Sequence, residues 1–316
     1  MRLKSITKDQ NDIKTHRDQR ERHMGFTLHN EYNQPLPFFY TRENNTVPFI
    51  GNMRGAHAFL IASGPSFNLV DKDKLKWCWT ICMNNSVKSC MPYFRPDAWC
   101  CVDDPTRFMT SIWLDPKIMK FVPHAHSEKV IWDSRAWEIK KIEDKIIKVG
   151  DCPNMFYFHR NEKFNAHRFL YEDCINWGDH TKWGGGRSVF LPTFRILHLL
   201  GFRNIYLLGV DFEMNENYKY SFQEKRDKSS ISCNNSTYKK LIQRFTELKP
   251  ILDKEGLNIY NCNKNSKLEV FDYIPFEEAV NRSLENMGGL EWLLDEKSEG
   301  MYVPPEDKLS PKKDEK

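Results

Sequence analysis

A turn of small residues, Ser63-Gly64-Pro65-Ser66, directly follows the apolar run at 58–62 and is the first part of the chain that could do chemistry. An apolar run that ends in such a turn predicts a buried strand, and Asn68 and Asp71 favour a helix start soon afterwards. Backbone N–H groups in a turn of this kind can face an anion without a side chain in the way. The turn therefore predicts a phosphate-binding site for a nucleotide. The alternative is a strand-to-helix turn that binds no ligand.

The glycine content of this turn limits the kind of nucleotide that it could bind. Gly64 is its single glycine, whereas the fingerprint for NAD or FAD requires three spaced glycines. The lysine that a P-loop places after its glycines does not follow the turn either. The sequence thus disfavours a dinucleotide cofactor and a P-loop NTPase.

Polar residues end several further apolar runs along the chain. The run at 77–83 ends at Asn84, the run at 96–102 ends at Asp103 and Asp104, and the run at 204–210 ends at Asp211. Further strands are predicted at 129–132, 155–158 and 257–260, and helices at 236–255 and from 276 to 294. Strands that alternate with helical or loop sequence are typical of a parallel α/β sheet, whose ligands contact the carboxyl ends of the strands.

A second turn that contains glycine begins at residue 184 and includes Gly185 and Gly186. Ser188 follows, and apolar residues at helical spacing then continue to Gly201, which is expected to end a helix. The next run of apolar residues ends at Asp211. If the strands are parallel, both glycine-containing turns meet at one sheet edge and could hold one ligand together.

Two carboxylate pairs at predicted strand ends could bind Mg²⁺. Asp103 and Asp104 are adjacent, and Asp211 and Glu213 are two apart, a spacing that places side chains on one face of a strand. Hard cations favour such oxygen ligands beside phosphates. Helix caps and loop anchors are the alternative roles for these carboxylates.

The composition indicates a folded chain of one or two domains. The 316 residues carry a net charge of +4 and nine cysteines without a paired C-x-x-C motif, which indicates reduced thiols and a cytoplasmic setting. No secretory signal or membrane span is predicted. We predict an N-terminal arm and lead-in at 1–53, a catalytic domain at 54–270 with a lid from about 215 to 232, and docking helices with a charged tail at 271–316.

On these residues the chain resembles bacterial sialyltransferases that make lipooligosaccharide caps, and the wider group of sialyltransferase-like and MptE-like (6-hydroxymethylpterin diphosphokinase-like) proteins, many of them phage-encoded. The similarity extends over about 54–270. It lies in the first turn and the strand before it, the strand ends at Asn84 and at Asp104-Pro105, the helix after Gly186-Arg187-Ser188, the segment Leu200 to Phe212, and Tyr220-Ser221-Phe222.

The resemblance implies an α/β fold with a Rossmann-like, mostly parallel sheet flanked by helices, a GT-A variant with a lid. It further implies that the sialyltransferase branch needs no metal for its chemistry, that Ser188 lies near the phosphate or base of a nucleotide-sugar, and that Tyr220 contacts the phosphate from the lid. The residues predicted to bind the donor are Ala62, Ser63, Gly64, Pro65, Ser66, Asn84, Asp104, Gly185, Gly186, Ser188 and Tyr220.

One departure from the family concerns the catalytic base. The family has a histidine just before the helix that follows the lid, and the matching positions 232–238 contain none. Other residues could take the proton: His180 and Asp179, if their loop folds back, Asp104 or Asp211. A general base must lie within hydrogen-bond reach of its proton.

The function predicted first is transfer of a sugar from a nucleotide donor to an acceptor hydroxyl. The acceptor is a glycan or, if the gene is viral, a hydroxymethylated base in DNA, in which case the setting is the host cytoplasm and the basic N-terminal arm suits the partner. The alternatives are an MptE-like diphosphokinase that uses Mg²⁺ and ATP, and a nucleotide-binding module without catalysis.

Overall fold

The computed structural model describes residues 2–5, 26–29, 35–36, 39–47, 51, 53, 55–131, 146–161, 164–170, 176–177, 188–216, 220–224 and 228–285. The predictions for Asp179, His180, Gly185 and Gly186 lie outside these residues, as does most of the N-terminal arm.

The described strands form one large sheet and two small ones. The large sheet consists of β4 (Phe39–Tyr40), β5 (Thr46–Val47), β6 (His57–Ile61), β7 (Thr80–Met83), β8 (Ala98–Cys100), β9 (Met119–Pro123), β10 (Met155–Phe158), β13 (Asn204–Leu208), β14 (Asn258–Asn261) and β15 (Asp272–Tyr273). The small sheets consist of β1 (Arg2–Ser5), β2 (Phe26–His29) and β3 (Pro35–Leu36), and of β11 (Arg160–Asn161) and β12 (Asn176–Trp177). The described α-helices are α1 (Lys72–Leu75), α2 (Val87–Cys90), α3 (Thr110–Leu114), α4 (Phe190–Leu200), α5 (Lys228–Lys254) and α6 (Phe276–Glu285).

The large sheet is mostly parallel, which confirms the predicted α/β class. Its strand order is β15-β14-β13-β6-β7-β8-β9-β10-β4-β5. The strands from β15 to β10 pair in parallel, and only β4 and β5 are antiparallel to their neighbours at one end. Since β4 and β5 precede residue 54 and β15 follows residue 270, the sheet extends beyond the predicted 54–270 on both sides.

The strand order reverses between β6 and β13. From β6 the chain adds β7, β8, β9 and β10 outward on one side, and it then returns to place β13, β14 and β15 on the other side. The two central strands pair in register, with Leu60 opposite Leu207 and Ile61 opposite Leu208. Their carboxyl ends therefore lie at the topological switch point, the position where open α/β sheets bind ligands, and we call the space between these two ends the crevice.

Helices cover both faces of the sheet, because β6 is apolar on both sides. Ala58 and Leu60 pack in one core with residues of α4 and α5, while Phe59 and Ile61 pack in the other with residues of α1, α2, α3 and α6. Continuous apolar runs of this kind are typical of parallel strands that are buried on both faces. Gly201 ends α4 in the left-handed conformation, with φ of 107°, as predicted.

Two predicted elements are wrong in place or length. The strand predicted at 129–132 is absent from its described part, where Val130 forms a single antiparallel bridge with Lys148, and the strand that follows β8 is β9 instead. β9 was not predicted because Lys120 interrupts its run of apolar residues. This lysine is fully buried, and its ammonium donates to the carbonyl oxygens of Asp115, Ile118 and Pro153. Helix α5 begins at Lys228 rather than 236, so the predicted lid is shorter.

Candidate functional site

The Ser63-Gly64-Pro65-Ser66 turn is fastened to the end of β13. Ala62 N donates to Leu208 O and Gly64 N donates to Gly209 O, each over 2.8 Å. The Ser66 hydroxyl donates to Asp211 Oδ2 over 2.9 Å, and Ser66 N reaches the same oxygen at 3.3 Å. A Cβ atom on Gly64 would lie 1.8 Å from Asp211 Oδ2, so only glycine fits here. The turn thus lies in the crevice between β6 and β13.

Asp211 acts as an anchor for this turn. Its side chain is 6% exposed, Oδ2 accepts the two hydrogen bonds from Ser66, and Oδ1 accepts one from Asn263 Nδ2 over 3.0 Å. Both carboxylate oxygens are therefore engaged within the protein. This arrangement favours a positioning role, and a role as catalytic base stays a prediction.

Asp211 and Glu213 do not share a face, contrary to the expectation for a strand. β13 ends at Leu208, and both Gly209 and Phe212 take positive φ angles of 65° and 56°. The chain is no longer extended, so Asp211 is buried while Glu213 is exposed. Within the described parts of the chain, no group of three or more His, Cys, Asp or Glu side chains could hold a metal ion.

Most backbone N–H groups of the first turn donate inside the protein, which corrects the expectation that several of them face an anion. Gly64 and Ser66 bind the end of β13, and Phe67 N donates to Gly64 O over 3.1 Å. The N–H and the hydroxyl of Ser63 donate to no described residue. A 3₁₀ turn, Pro65–Leu69, follows instead of an α-helix, and Asp71 then caps α1. Ser63 is thus the residue of the turn with donors to offer a ligand.

The segment 220–224, part of the predicted lid, lies against this turn. Ser221 N donates to Ser63 O over 2.8 Å, and the Ser221 hydroxyl lies 2.7 Å from the hydroxyl of Ser89 in α2. The rings of Tyr220 and Phe222 stack with centroids 5.2 Å apart, and Lys88 Nζ lies 5.5 Å from the Phe222 centroid. The structure therefore places the segment that contains Tyr220 against Ser63, through the hydrogen bond from Ser221.

Asn84 and Asn85 continue the site at the end of β7. Asn84 takes a left-handed φ of 49°, and its Nδ2 lies 3.4 Å from Asp103 Oδ2 at the end of β8. The Oδ1 atoms of both asparagines are buried and accept no hydrogen bond from any described residue. Ser86 Oγ donates to Ile61 O over 2.8 Å and so ties this strand end to β6. Buried acceptors without a donor are costly, and they are commonly completed by water or a ligand.

Asp104 is exposed and caps a 3₁₀ turn at the end of β8. Its Oδ1 accepts hydrogen bonds from the N–H of Thr106 over 3.1 Å and from the Thr106 hydroxyl over 2.7 Å. Partial burial alone would raise the pKa of this carboxyl. The hydrogen bonds from Thr106 and the nearby charge of Lys129 lower its pKa below the ordinary value instead. Asp104 therefore stays ionised at neutral pH.

Ser188 lies at the start of α4, where its hydroxyl accepts a hydrogen bond from Phe190 N over 3.0 Å. Because α4 ends only three residues before β13 begins, its first turn lies at the carboxyl edge of the sheet. The rings of Phe190 and Phe212 are 5.8 Å apart, which places this helix start beside the end of β13. Ser188 thus lies at the carboxyl edge of the sheet, and its role beside the donor stays a prediction.

Asn234 and Asn235 lie within 232–238, the positions that contain no histidine, and sequence reasoning assigned them no role. Asn235 Oδ1 accepts from Met214 N over 3.0 Å and its Nδ2 donates to Met214 O over 2.8 Å. Asn234 Nδ2 lies 3.3 Å from Tyr220 Oη. These two residues hold the loop after β13 and the lid tyrosine. The adjacent pair of amides was the only signal for them in the sequence.

Comparisons with known proteins give one structural similarity. No protein-family model and no curated protein matches the chain. Among solved structures, the sialyltransferase CstII from Campylobacter jejuni, in complex with the substrate analogue cytidine-5'-monophosphate, aligns with a TM-score of 0.36 and 13% identity over 74% of this chain and 99% of that chain. A TM-score of this size supports no inference about function. No helix in the described ranges is both long and apolar enough to cross a membrane.

Proposed function

We propose that this protein is a glycosyltransferase that binds a nucleotide-sugar in the crevice between β6 and β13 and transfers the sugar to an acceptor hydroxyl. One observation carries the proposal. The Ser63-Gly64 turn lies at the switch point of the sheet, fastened to β13 on one side and contacted by the lid segment on the other. Open α/β sheets bind ligands at that position.

Three groups around the crevice suit a nucleotide-sugar. The N–H and hydroxyl of Ser63 can donate to a phosphate oxygen, and Tyr220 Oη, held by Asn234, can stabilise the charge that develops on the departing phosphate. The acceptor oxygens of Asn84 and Asn85 suit the hydroxyl or amino groups of the nucleoside or sugar. Ser188 would border the same ligand from the start of α4.

Among the described candidates for the catalytic base, the geometry favours Asp104. Its carboxylate is exposed at a strand end two strands from the crevice, whereas both oxygens of Asp211 are engaged by Ser66 and Asn263. The lowered pKa of Asp104 keeps it in the basic form. His180, Gly185 and Gly186 remain part of the proposed site on the grounds of their sequence positions.

A thermal-shift panel of CMP-, UDP- and GDP-sugars and ATP, each with and without Mg²⁺, tests this function. A donor at 100 times its dissociation constant stabilises the fold by about 2.7 kcal/mol. Ser63→Ala should weaken the response, while Thr246→Ala, which removes an exposed hydroxyl in α5, should leave it unchanged. A response to ATP that depends on Mg²⁺ would favour the diphosphokinase instead, and binding without release of the nucleotide would favour a non-catalytic module.

A further inference from the structure

Buried polar groups lie at both edges of the large sheet. Three of those at the amino edge have partners within the protein: His57 Nδ1 lies 2.9 Å from Tyr206 Oη, the Lys120 ammonium donates to three carbonyl oxygens, and Arg95 Nε donates to Asp115 over 2.7 Å. At the carboxyl edge, the Oδ1 atoms of Asn84 and Asn85 and the Nδ1 atom of His126 are buried without a partner among the described residues.

His126 is the most unusual of these groups. It lies in the turn His124–His126, directly after β9, and its side chain is 2% exposed. Burial, with the nearby charge of Lys129, lowers the pKa of its imidazole to about 3, against an opposing effect of Asp104. The ring is therefore neutral at physiological pH, and its unpaired nitrogen destabilises the fold unless something else completes the hydrogen bond.

The polar groups after β7, β8 and β9 form a continuous row, which we call the rim: Asn84, Asn85, Asp103, Asp104 and His126. Asn84 contacts Asp103, and Asp104 interacts electrostatically with His126. The rim adjoins the crevice at Asn84, since Ser86 joins the end of β7 to the end of β6. It thus extends the proposed donor site along the same edge of the sheet.

We infer that the rim is a binding subsite for the second substrate and that His126 hydrogen-bonds a hydroxyl group of a neutral, polyhydroxylated ligand. This inference rests on the proposed function, in which the second substrate is the acceptor. The rim presents amide oxygens, two carboxylates and a neutral imidazole, so a ligand rich in hydroxyl donors complements it. The two carboxylates of Asp103 and Asp104 outnumber the nearby ammonium of Lys129, so the rim disfavours phosphates and favours a neutral glycan over DNA.

The experiment uses the full-length protein labelled with ¹⁵N-histidine, titrated with millimolar methyl glycosides of galactose, glucose and N-acetylglucosamine and, separately, with a 12-base-pair DNA duplex. We expect a glycoside to shift the Nδ1 resonance of His126. His124 and His159 should not respond, since their Nε2 atoms are already paired with Arg42 O and Asn44 Oδ1. The inference would be overturned if none of the glycosides shifts the Nδ1 resonance of His126, or if only the DNA duplex does.

Two variants separate binding from folding. His126→Phe replaces an unpaired polar ring by an apolar one, so the fold should keep its stability, while glycoside affinity should fall roughly tenfold. Tyr157→Phe removes another buried and unpartnered polar atom, in β10, where the ring lies 5.5 Å from that of His124 rather than in the rim, and should leave glycoside binding unchanged. Unaltered affinity in His126→Phe would contradict the inference. If donors cause no thermal shift while glycosides still perturb His126, the proposed function fails and the subsite stands.

Discussion

The close approach of Gly64 to the end of β13 makes Gly64→Ala the sharpest perturbation of the crevice. The new Cβ would lie 1.8 Å from Asp211 Oδ2 and 2.4 Å from Gly209 O, whereas real Cβ atoms essentially never come within 3.0 Å of another heavy atom. The turn must therefore move by roughly 1 Å, against contacts that a packed core resists. This shift breaks the hydrogen bond from Gly64 N to Gly209 O and weakens both bonds from Ser66 to Asp211.

The cost can be estimated from these contacts. Overpacking and the loss of hydrogen bonds to a buried carboxylate together should destabilise the fold by roughly 2–4 kcal/mol. A displacement of about 1 Å in a positioning residue can reduce activity about 100-fold, and Ser63 moves with the turn. Donor binding should therefore fall even where the variant is fully folded. Measurements at low temperature keep it folded, so a loss of donor affinity there cannot be due to unfolding.

The assay is urea unfolding together with the donor thermal-shift panel, and Gly256→Ala is the matched control. Gly256 has φ of 67° and nothing within 4 Å of its Cβ position, so alanine there costs only the left-handed backbone, about 1 kcal/mol. Its donor response should match the wild type. A Gly64→Ala protein that binds donor as the wild type does would refute the assignment of the turn to the site.

Four further predictions follow from named contacts. The pKa of His126 is about 3 in the fold and near 6.5 in the unfolded chain, so the free energy of unfolding should fall by about 1.4 kcal/mol per pH unit as the pH drops from 6.5 towards 3. Urea unfolding of the wild type and of His126→Phe across this range should show that slope in the difference between the two proteins. A difference that does not depend on pH would contradict the prediction. Ser221→Ala removes the contact with Ser89, so stopped-flow should show donor dissociation faster by roughly 2–10-fold, while Thr246→Ala stays at the wild-type rate. Asp104→Asn keeps an oxygen for Thr106 and should lower kcat by about 100-fold or more with donor affinity unchanged; an unchanged kcat would remove Asp104 as the base. Lys120→Met leaves three carbonyl oxygens without their donor and should destabilise the fold by roughly 3 kcal/mol in urea unfolding, and a neutral effect would show that water replaces the ammonium.

The central strands could be predicted from the sequence because both faces of each are buried. β6 and β13 are uninterrupted apolar runs that end in polar or glycine residues, and that pattern alone indicates parallel strands with a loop at the carboxyl edge. β9 could not be recognised in the same way. Its Lys120 is satisfied by carbonyl oxygens from residues 115, 118 and 153, and such a long-range arrangement leaves no local signature.

The location of the polar residues at strand ends could be predicted better than the role of each residue. Residue type placed Ser63, Asn84, Asp104 and Asp211 at strand ends, and the fold confirms that location. Whether a carboxylate anchors a loop or is exposed to a substrate depends on its neighbours in space. Asp211 meets Ser66 from 145 residues away, and only the fold shows this.

His126 is a second residue whose surroundings could not be predicted from the sequence. No strand was predicted directly before His126, since β9 could not be recognised, and nothing local indicates that its ring is buried without a hydrogen bond. That property depends on how the ends of β8 and β9 pack against each other. Unpaired buried atoms are a feature of three-dimensional structure, so they could not be found by spacing or composition.

The central claim, that the crevice between β6 and β13 holds the donor phosphate, is tested most directly by amide hydrogen exchange at Ser63. In the free protein this N–H donates to no described residue, whereas the neighbouring Gly64 N–H is already bonded to Gly209 O. With saturating nucleotide-sugar, NMR-detected exchange at Ser63 should slow at least tenfold while Gly64 changes little. Donor binding that leaves exchange at Ser63 unaltered would place the phosphate elsewhere and contradict the claim.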